Sequence, residues 1–100
     1  MDPDRSDIST ADVVLATAGR DQGKLFYVVK VEQEYLYLVN GKDRTLEKPK
    51  RKKRKHTQLV LRSETRVAQK LISGDKVLNG ELRRDLASIS REMQGNNLGG

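Results

Sequence analysis

The chain is 100 residues long, with 35% hydrophobic and 34% charged residues and a formal net charge of +6. That length holds one compact domain with an appended helix or tail and excludes a second full domain. The absence of cysteine removes disulfides, thiolate nucleophiles and the common structural zinc sites, and no stretch approaches the roughly 20 apolar residues of a membrane span.

The first ten residues contain Asp2, Pro3, Asp4 and Asp7 and lack both periodicity and an apolar leader. Residues 1–10 are therefore expected to be a disordered lead-in to a soluble, cytoplasmic chain. From residue 13 to 18 a short apolar stretch ends at Gly19-Arg20-Asp21-Gln22-Gly23, and residues 25–31 are rich in β-branched and aromatic side chains. This is the pattern of strand, glycine-bounded turn and strand. Alternation places Tyr27, Val29 and Val31 on one face and Phe26, Val28 and Lys30 on the other. A third strand is predicted over 35–39, with Tyr35, Tyr37 and Val39 facing away from Leu36 and Leu38. Asn40-Gly41 tolerates positive φ and reads as a hairpin turn into a fourth strand around 43–47. Residues 48–55 read as a basic loop, extended by Pro49 and by charge repulsion, and residues 57–61 as a fifth strand. Five short strands within residues 11–62 predict a mainly β domain, a small and highly curved barrel.

Beyond Ser63 the apolar period lengthens. Val67, Ala68, Leu71 and Ile72, behind a Ser63 N-cap and before Gly74, predict a short helix. Asn79 is the expected cap of a second one, in which Leu82, Leu86, Ile89 and Met93 form an apolar stripe that needs the barrel or the first helix as its partner. These two make a helical extension over 63–94, and residues 95–100, rich in Gly and Asn, read as a disordered tail.

Charge is distributed unevenly. Residues 1–41, 42–55 and 56–100 carry net charges of −3, +7 and +2, so the central fourteen residues exceed the whole. Within them Lys48-Pro49-Lys50-Arg51-Lys52-Lys53-Arg54-Lys55 holds seven cations in eight residues. No fold buries so many like charges without anions, so the segment is solvated or binds a polyanion, nucleic acid ahead of an anionic membrane. A solubilising loop and a nuclear-import signal over 49–55 are competing readings. Gly19 and Gly23 let the backbone approach a ligand while Arg20 and Lys24 supply charge, although the same glycines also suit a tight strand connection. Phe26, Tyr27, Tyr35 and Tyr37 suit either base stacking or core and cross-strand packing. His56, the only histidine, suits a backbone or phosphate contact better than catalysis, because the neighbouring cations favour its neutral form. Arg83, Arg84 and Arg91 offer a secondary basic patch or ordinary solvated helix surface. No cluster of His, Asp and Glu has ligand spacing, and no nucleophile motif or phosphate-binding loop is present. The expectation is a non-enzymatic chain with no catalytic residue, metal, cofactor or small-molecule substrate.

Residues 13–29, with the glycine-containing hairpin Ala18-Gly19-Arg20-Asp21-Gln22-Gly23-Lys24, resemble a KOW motif of the type found in large-subunit ribosomal proteins of archaea and eukaryotes. Asn40-Gly41-Lys42-Asp43-Arg44-Thr45-Leu46-Glu47-Lys48-Pro49-Lys50, running on to Lys55-His56, is similar to the basic segment of those proteins and of small bacterial KOW-domain RNA-binding proteins. Residues 67–86, with Gly74, Asn79 and Leu82-Arg83, resemble the C-terminal extension of the bacterial group. The resemblance covers roughly residues 12–86 and implies a five-stranded SH3-like barrel followed by two short helices. It implies non-catalytic binding of structured RNA, ribosomal RNA above all, as a ribosomal or ribosome-associated protein with neighbouring ribosomal proteins as further partners. Gly23 matches the characteristic KOW glycine, and Arg20, Lys24, Lys42, Arg44, Lys48, Lys50, Arg51, Lys52, Lys53, Arg54 and Lys55 carry over as RNA contacts, beside Gly19 and His56. Gln22 stands where the family often has a basic residue, and Ala11-Asp12 replaces a glycine that often precedes the first strand. The alternative is an SH3-like protein-interaction module on ribosomal or transcription machinery, with the basic run as a nonspecific anchor.

Overall fold

The structure, a computed structural model, describes residues 8–99. The expected lead-in falls outside the described residues up to position 7. Order already holds at Ile8, which is buried, and at Ser9, whose N–H donates to Asp12 Oδ2 at 2.8 Å.

Five strands precede two helices: β1 (Asp12–Ala16), β2 (Leu25–Glu32), β3 (Tyr35–Val39), β4 (Lys50–Lys53), a single 3-10 turn (Arg54–His56), β5 (Thr57–Arg62), α1 (Arg66–Ser73) and α2 (Asn79–Gly99). All strand pairs are antiparallel, in the order β4-β3-β2-β1-β5. The expected closed barrel of a mainly β chain is therefore an open five-stranded sheet in a chain of mixed α and β. β4 and β5 follow each other through the 3-10 turn but pair with β3 and β1 at opposite edges, and α2 alone spans 21 residues rather than a short extension.

Val13 and Val14 are adjacent and both fully buried, because the sheet is apolar on both faces. On one face Val13, Tyr27 and Val39 pack against Val67 and Ala68 of α1 and Leu82, Leu86 and Ile89 of α2. On the other, Val14, Ala16, Phe26, Val28, Leu36 and Leu38 pack with Ile8 and no helical residue. Those strand side chains are buried together, and each large one contributes about 1.5–3 kcal/mol by leaving water. A bulge at Val29 inverts the alternation of β2: Lys30 registers with Tyr37 and Val31 with Leu36. Val31 therefore packs with Phe26 and Val28 rather than with Tyr27, as uninterrupted alternation would have it.

The fourth strand lies later than expected. Asn40 Oδ1 accepts from the N–H groups of Lys42 and Arg44 at 2.9 and 3.0 Å, folding the chain back after β3. Residues 43–47 then remain in a loop that includes a small Thr45–Lys48 bridge. The basic segment, expected as a loop, is β4 itself, registering Lys50, Arg51, Lys52 and Lys53 with Leu38, Tyr37, Leu36 and Tyr35.

The helices are anchored by a polar cluster under their junction with the sheet. The Tyr27 hydroxyl donates to Asp85 and meets Ser63 Oγ at 2.8 Å, while Thr65 Oγ1 donates to the same Asp85 oxygen at 2.8 Å. Burial, and then the Asp85 hydrogen bond, pushes the Tyr27 phenol up to about 12. Thr65, not Ser63, is the N-cap of α1, accepting from the Ala68 N–H at 3.2 Å, because Ser63 is held in this cluster. Gly74, at φ 80°, ends α1 as expected. Asn79 does not cap α2 either. Glu81 Oε2 reaches back to the Leu78 N–H at 2.8 Å, the acidic half of a capping box. Asn79 instead accepts from the Leu46 N–H and donates to Glu47 Oε1, each at 2.9 Å. Of the predicted stripe, Leu82, Leu86 and Ile89 are buried and Met93 is exposed. The helix continues to Gly99 rather than stopping at residue 94; Gly and Asn weaken a helix by up to about 1 kcal/mol each, and no proline interrupts it. Neither described helix is long and apolar enough to cross a membrane.

Two glycines separate strain from collision. A Cβ on Gly41, at φ 77°, would stand 2.2 Å from the Asn79 carbonyl oxygen, whereas one on Gly23, at φ 88°, would meet nothing within 4 Å. Gly23→Ala is expected to lower the unfolding free energy by about 1–2 kcal/mol, from backbone strain alone. Gly41→Ala adds a backbone clash and is expected to exceed about 3 kcal/mol. Urea unfolding of both variants checks this; equal losses would contradict the packing of the 40–49 loop against α2.

Candidate functional site

The turn joining β1 to β2 and the strand β4 come together on one side of the sheet. Gly19 and Gly23 take positive φ, at 81° and 88°, and the turn closes through Gln22 N–H to Gly19 O at 3.2 Å and Gly23 N–H to Ala16 O at 2.8 Å. Arg20 points to solvent while Asp21, only 2% exposed, turns inward. Lys52 crosses from β4 to donate to the Ala18 carbonyl at 3.0 Å, and its Nζ lies 3.3 Å from where a Cβ of Gly19 would be. The 3-10 turn completes the junction, since the His56 carbonyl accepts from the Thr17 N–H at 2.9 Å. Arg54 closes the opposite end, with its N–H donating to Glu34 O at 2.8 Å and its Nε to Gln33 O at 2.7 Å.

The fourteen residues singled out from the sequence take different places here. Arg44 donates to Asp21 Oδ2 at 3.0 Å, and Lys24 reaches Asp43 Oδ2 at 2.8 Å and Asp21 Oδ1 at 3.7 Å. These two cations hold the β1–β2 turn against the 40–49 loop and already have carboxylate partners. Lys52, Arg54 and His56 brace the backbone as described. Arg20, Lys42, Lys48, Lys53 and Lys55 are exposed, Lys50 is half-buried along the sheet edge, and Arg51 lies over the Tyr35 ring at 4.3 Å from its centroid. Among the described residues, no carboxylate forms an ion pair with Lys42, Lys48, Lys50, Arg51, Lys52, Lys53 or Lys55.

Sequence reasoning missed the acids that organise this surface. Asp21 read as a turn residue and Asp43 as the start of the fourth strand, yet they select which cations are held internally; their closeness to Lys24 and Arg44 in the chain was the available signal. It also missed a cleft of about 570 Å³ lined by Gly23, Lys24, Lys42 and Asp43 on one side and by Arg83, Leu86, Ala87 and Ser90 of α2 on the other. Arg83 is held there by a 2.6 Å hydrogen bond to the Gly41 carbonyl, so it is more than solvated helix surface. Among the described residues, no group of three or more His, Asp and Glu side chains is placed to hold a metal ion.

The sequence matches no family model, and no curated protein matches it significantly.

The Lys24–Asp43 pair has a signature in pH. The hydrogen bond from Lys24, and then that from Asn40, draws the Asp43 carboxyl down from 3.8 to about 2, and the Asp43 hydrogen bond raises Lys24. Because the folded value lies below the unfolded one, the pair's contribution is full above 3.8 and disappears as the pH falls through about 2. Solvent screening of this exposed pair keeps that contribution small. Asp43→Asn is therefore expected to be less stable than the parent at neutral pH, with the two unfolding curves converging near pH 2; a constant offset across this range would exclude the linkage.

Proposed function

We propose that this chain is a KOW-type, SH3-like, cytoplasmic RNA-binding protein that grips the phosphate backbone of structured, ribosomal RNA without catalysis. The observation that carries this reading is the state of the β4 cations: Lys24 and Arg44 have internal carboxylates, while Lys50, Arg51, Lys52 and Lys53 have none among the described residues. A row of uncompensated cations held on a strand, rather than on a mobile loop, presents charge at a fixed spacing to a polyanion. The β1–β2 turn, carrying Arg20, is tied to that row through Lys52, so turn and strand act as two sides of one surface. The sequence resemblance supports the same reading, as does the strand order, in which β1 lies between β2 and β5 and a 3-10 turn links β4 to β5.

Binding through phosphates depends on release of condensed counterions, and each contact contributes about 0.7–0.9 to the salt slope of log K. Such contacts set position and register without reading bases. Shape and charge, rather than sequence, would then determine the RNA chosen along this edge.

A variant with Lys48, Lys50, Lys53 and Lys55 all changed to Gln leaves the bracing Lys52 and Arg54 in place. In filter-binding titrations against a structured ribosomal RNA fragment, it is expected to lose more than about tenfold in affinity at low salt, and its salt slope is expected to fall by about 3. If variant and parent share affinity and slope, the β4 edge is not the electrostatic grip.

A further inference from the structure

The face of the sheet that packs against the helices is covered at one end and open at the other. Val39 is buried beneath α1 and α2, but Tyr37 and Tyr35, which follow on the same face of β3, are half-buried and join neither core. Strand register arranges that open end in two rows. Glu32, Tyr35 and Lys53 form one, and Lys30, Tyr37 and Arg51 the other, each with its tyrosine on the central strand. The two rings stand about 6.8 Å apart along the strand.

The charges around the rings are chosen in one direction. The Arg51 guanidinium lies 4.3 Å from the centroid of Tyr35, and Lys30 Nζ lies 5.3 Å from that of Tyr37. Glu32, the one acid in the rows, pairs with Lys30 at 3.5 Å and accepts the Tyr37 hydroxyl at 3.0 Å, so its charge is already answered. Arg51 and Lys53 remain without an ion-pair partner among the described residues, and they belong to the strand whose alternate residues, Lys50 and Lys52, line the other side of the same edge.

We propose that this Tyr35–Tyr37 face is a stacking site for unpaired bases of RNA; the inference rests on the RNA-binding reading above. Aromatic rings and a guanidinium plane accept any base face, and cations beside them take the phosphates of the same strand. An acidic peptide would satisfy the cations but leave the ring faces unused, and an apolar one would leave Arg51 and Lys53 unanswered. Base-paired RNA has its base faces occupied by its own stack. The site therefore adds a preference for single-stranded segments to an edge that otherwise reads only phosphate.

The test uses the full chain, a double variant Tyr35→Leu with Tyr37→Leu, and two probes, a single-stranded oligouridylate and a blunt RNA duplex. The chain has no tryptophan and three tyrosines, of which Tyr27 is buried, so base stacking is read directly as quenching of tyrosine emission. The single strand is expected to quench the parent's emission, and the double variant to bind it about tenfold more weakly, with less than about a twofold change on the duplex. An unchanged affinity of the variant for the single strand, or a parent whose emission does not respond, overturns the stacking site while duplex binding keeps the phosphate grip standing. An equal loss on both probes together with a lowered urea midpoint makes the tyrosines structural and also overturns it. A parent that binds neither probe at low salt removes both readings.

Discussion

Like charges can join a β-sheet only where water reaches them, and this chain places its densest run of cations at the sheet's edge. Everything on the surface follows from that placement. Pairing with β3 gives each cation an address: Lys50 and Lys52 register with the buried Leu38 and Leu36, and Arg51 and Lys53 with Tyr37 and Tyr35. The first pair can lay aliphatic stems along apolar surface, with the Lys52 ammonium carried on to the Ala18 carbonyl. The second stands on the tyrosine side. An edge of this kind also resists pairing with a strand of another chain, since bringing two such rows together would oppose their charges.

Holding the strand requires ties that do not neutralise it. Backbone carbonyls supply them: Ala18 for Lys52, Gln33 and Glu34 for Arg54, and the His56 carbonyl for the first strand. Carboxylates are used elsewhere. Asp21 and Asp43 pair with Lys24 and Arg44 and so stiffen the turn and loop beside the edge. Between sheet and helices, Asp85 gathers Tyr27 from β2 and Thr65 from the start of α1. These carboxylates tie turn, loop and helix together, and none of them is spent on the four cations of β4.

How much of this is legible in the sequence depends on the range of the interaction. The strands β1, β2, β3 and β5 are readable because alternation and β-branched composition are local, and so is the glycine stop of α1. The fourth strand is not. A run of lysine and arginine has no apolar alternation, and its partner is chosen by Tyr35 to Leu38, which need a strand beside them. Ser63 and Asn79 both look like caps, and both have their side chains drawn away by distant partners, Tyr27 in one case and Leu46 in the other. The bulge at Val29 likewise leaves no mark in composition, yet it decides that Lys30 faces Tyr37. The cationic run was visible as a candidate site. The distinction between cations with and without a carboxylate was not, because it depends on two aspartates brought in by folding.

The first turn of α2 clasps the loop before β4 at two points, Gly41 through Arg83 and residues 46–47 through Asn79. Chain length is therefore not equivalent on the two sides of that clasp. An extra residue between positions 41 and 46 lies inside the clasp, where it would disturb the Asn40 and Arg44 hydrogen bonds and leave the register of β4 as it is. One inserted after position 47 would arrive at β4 as a shift of register by one, and a strand has a period of two. Arg51 would then lie opposite Leu36, and Lys50 and Lys52 opposite Tyr37 and Tyr35. The charge would be the same in amount and composition, but the face of the sheet that carries each cation would be exchanged.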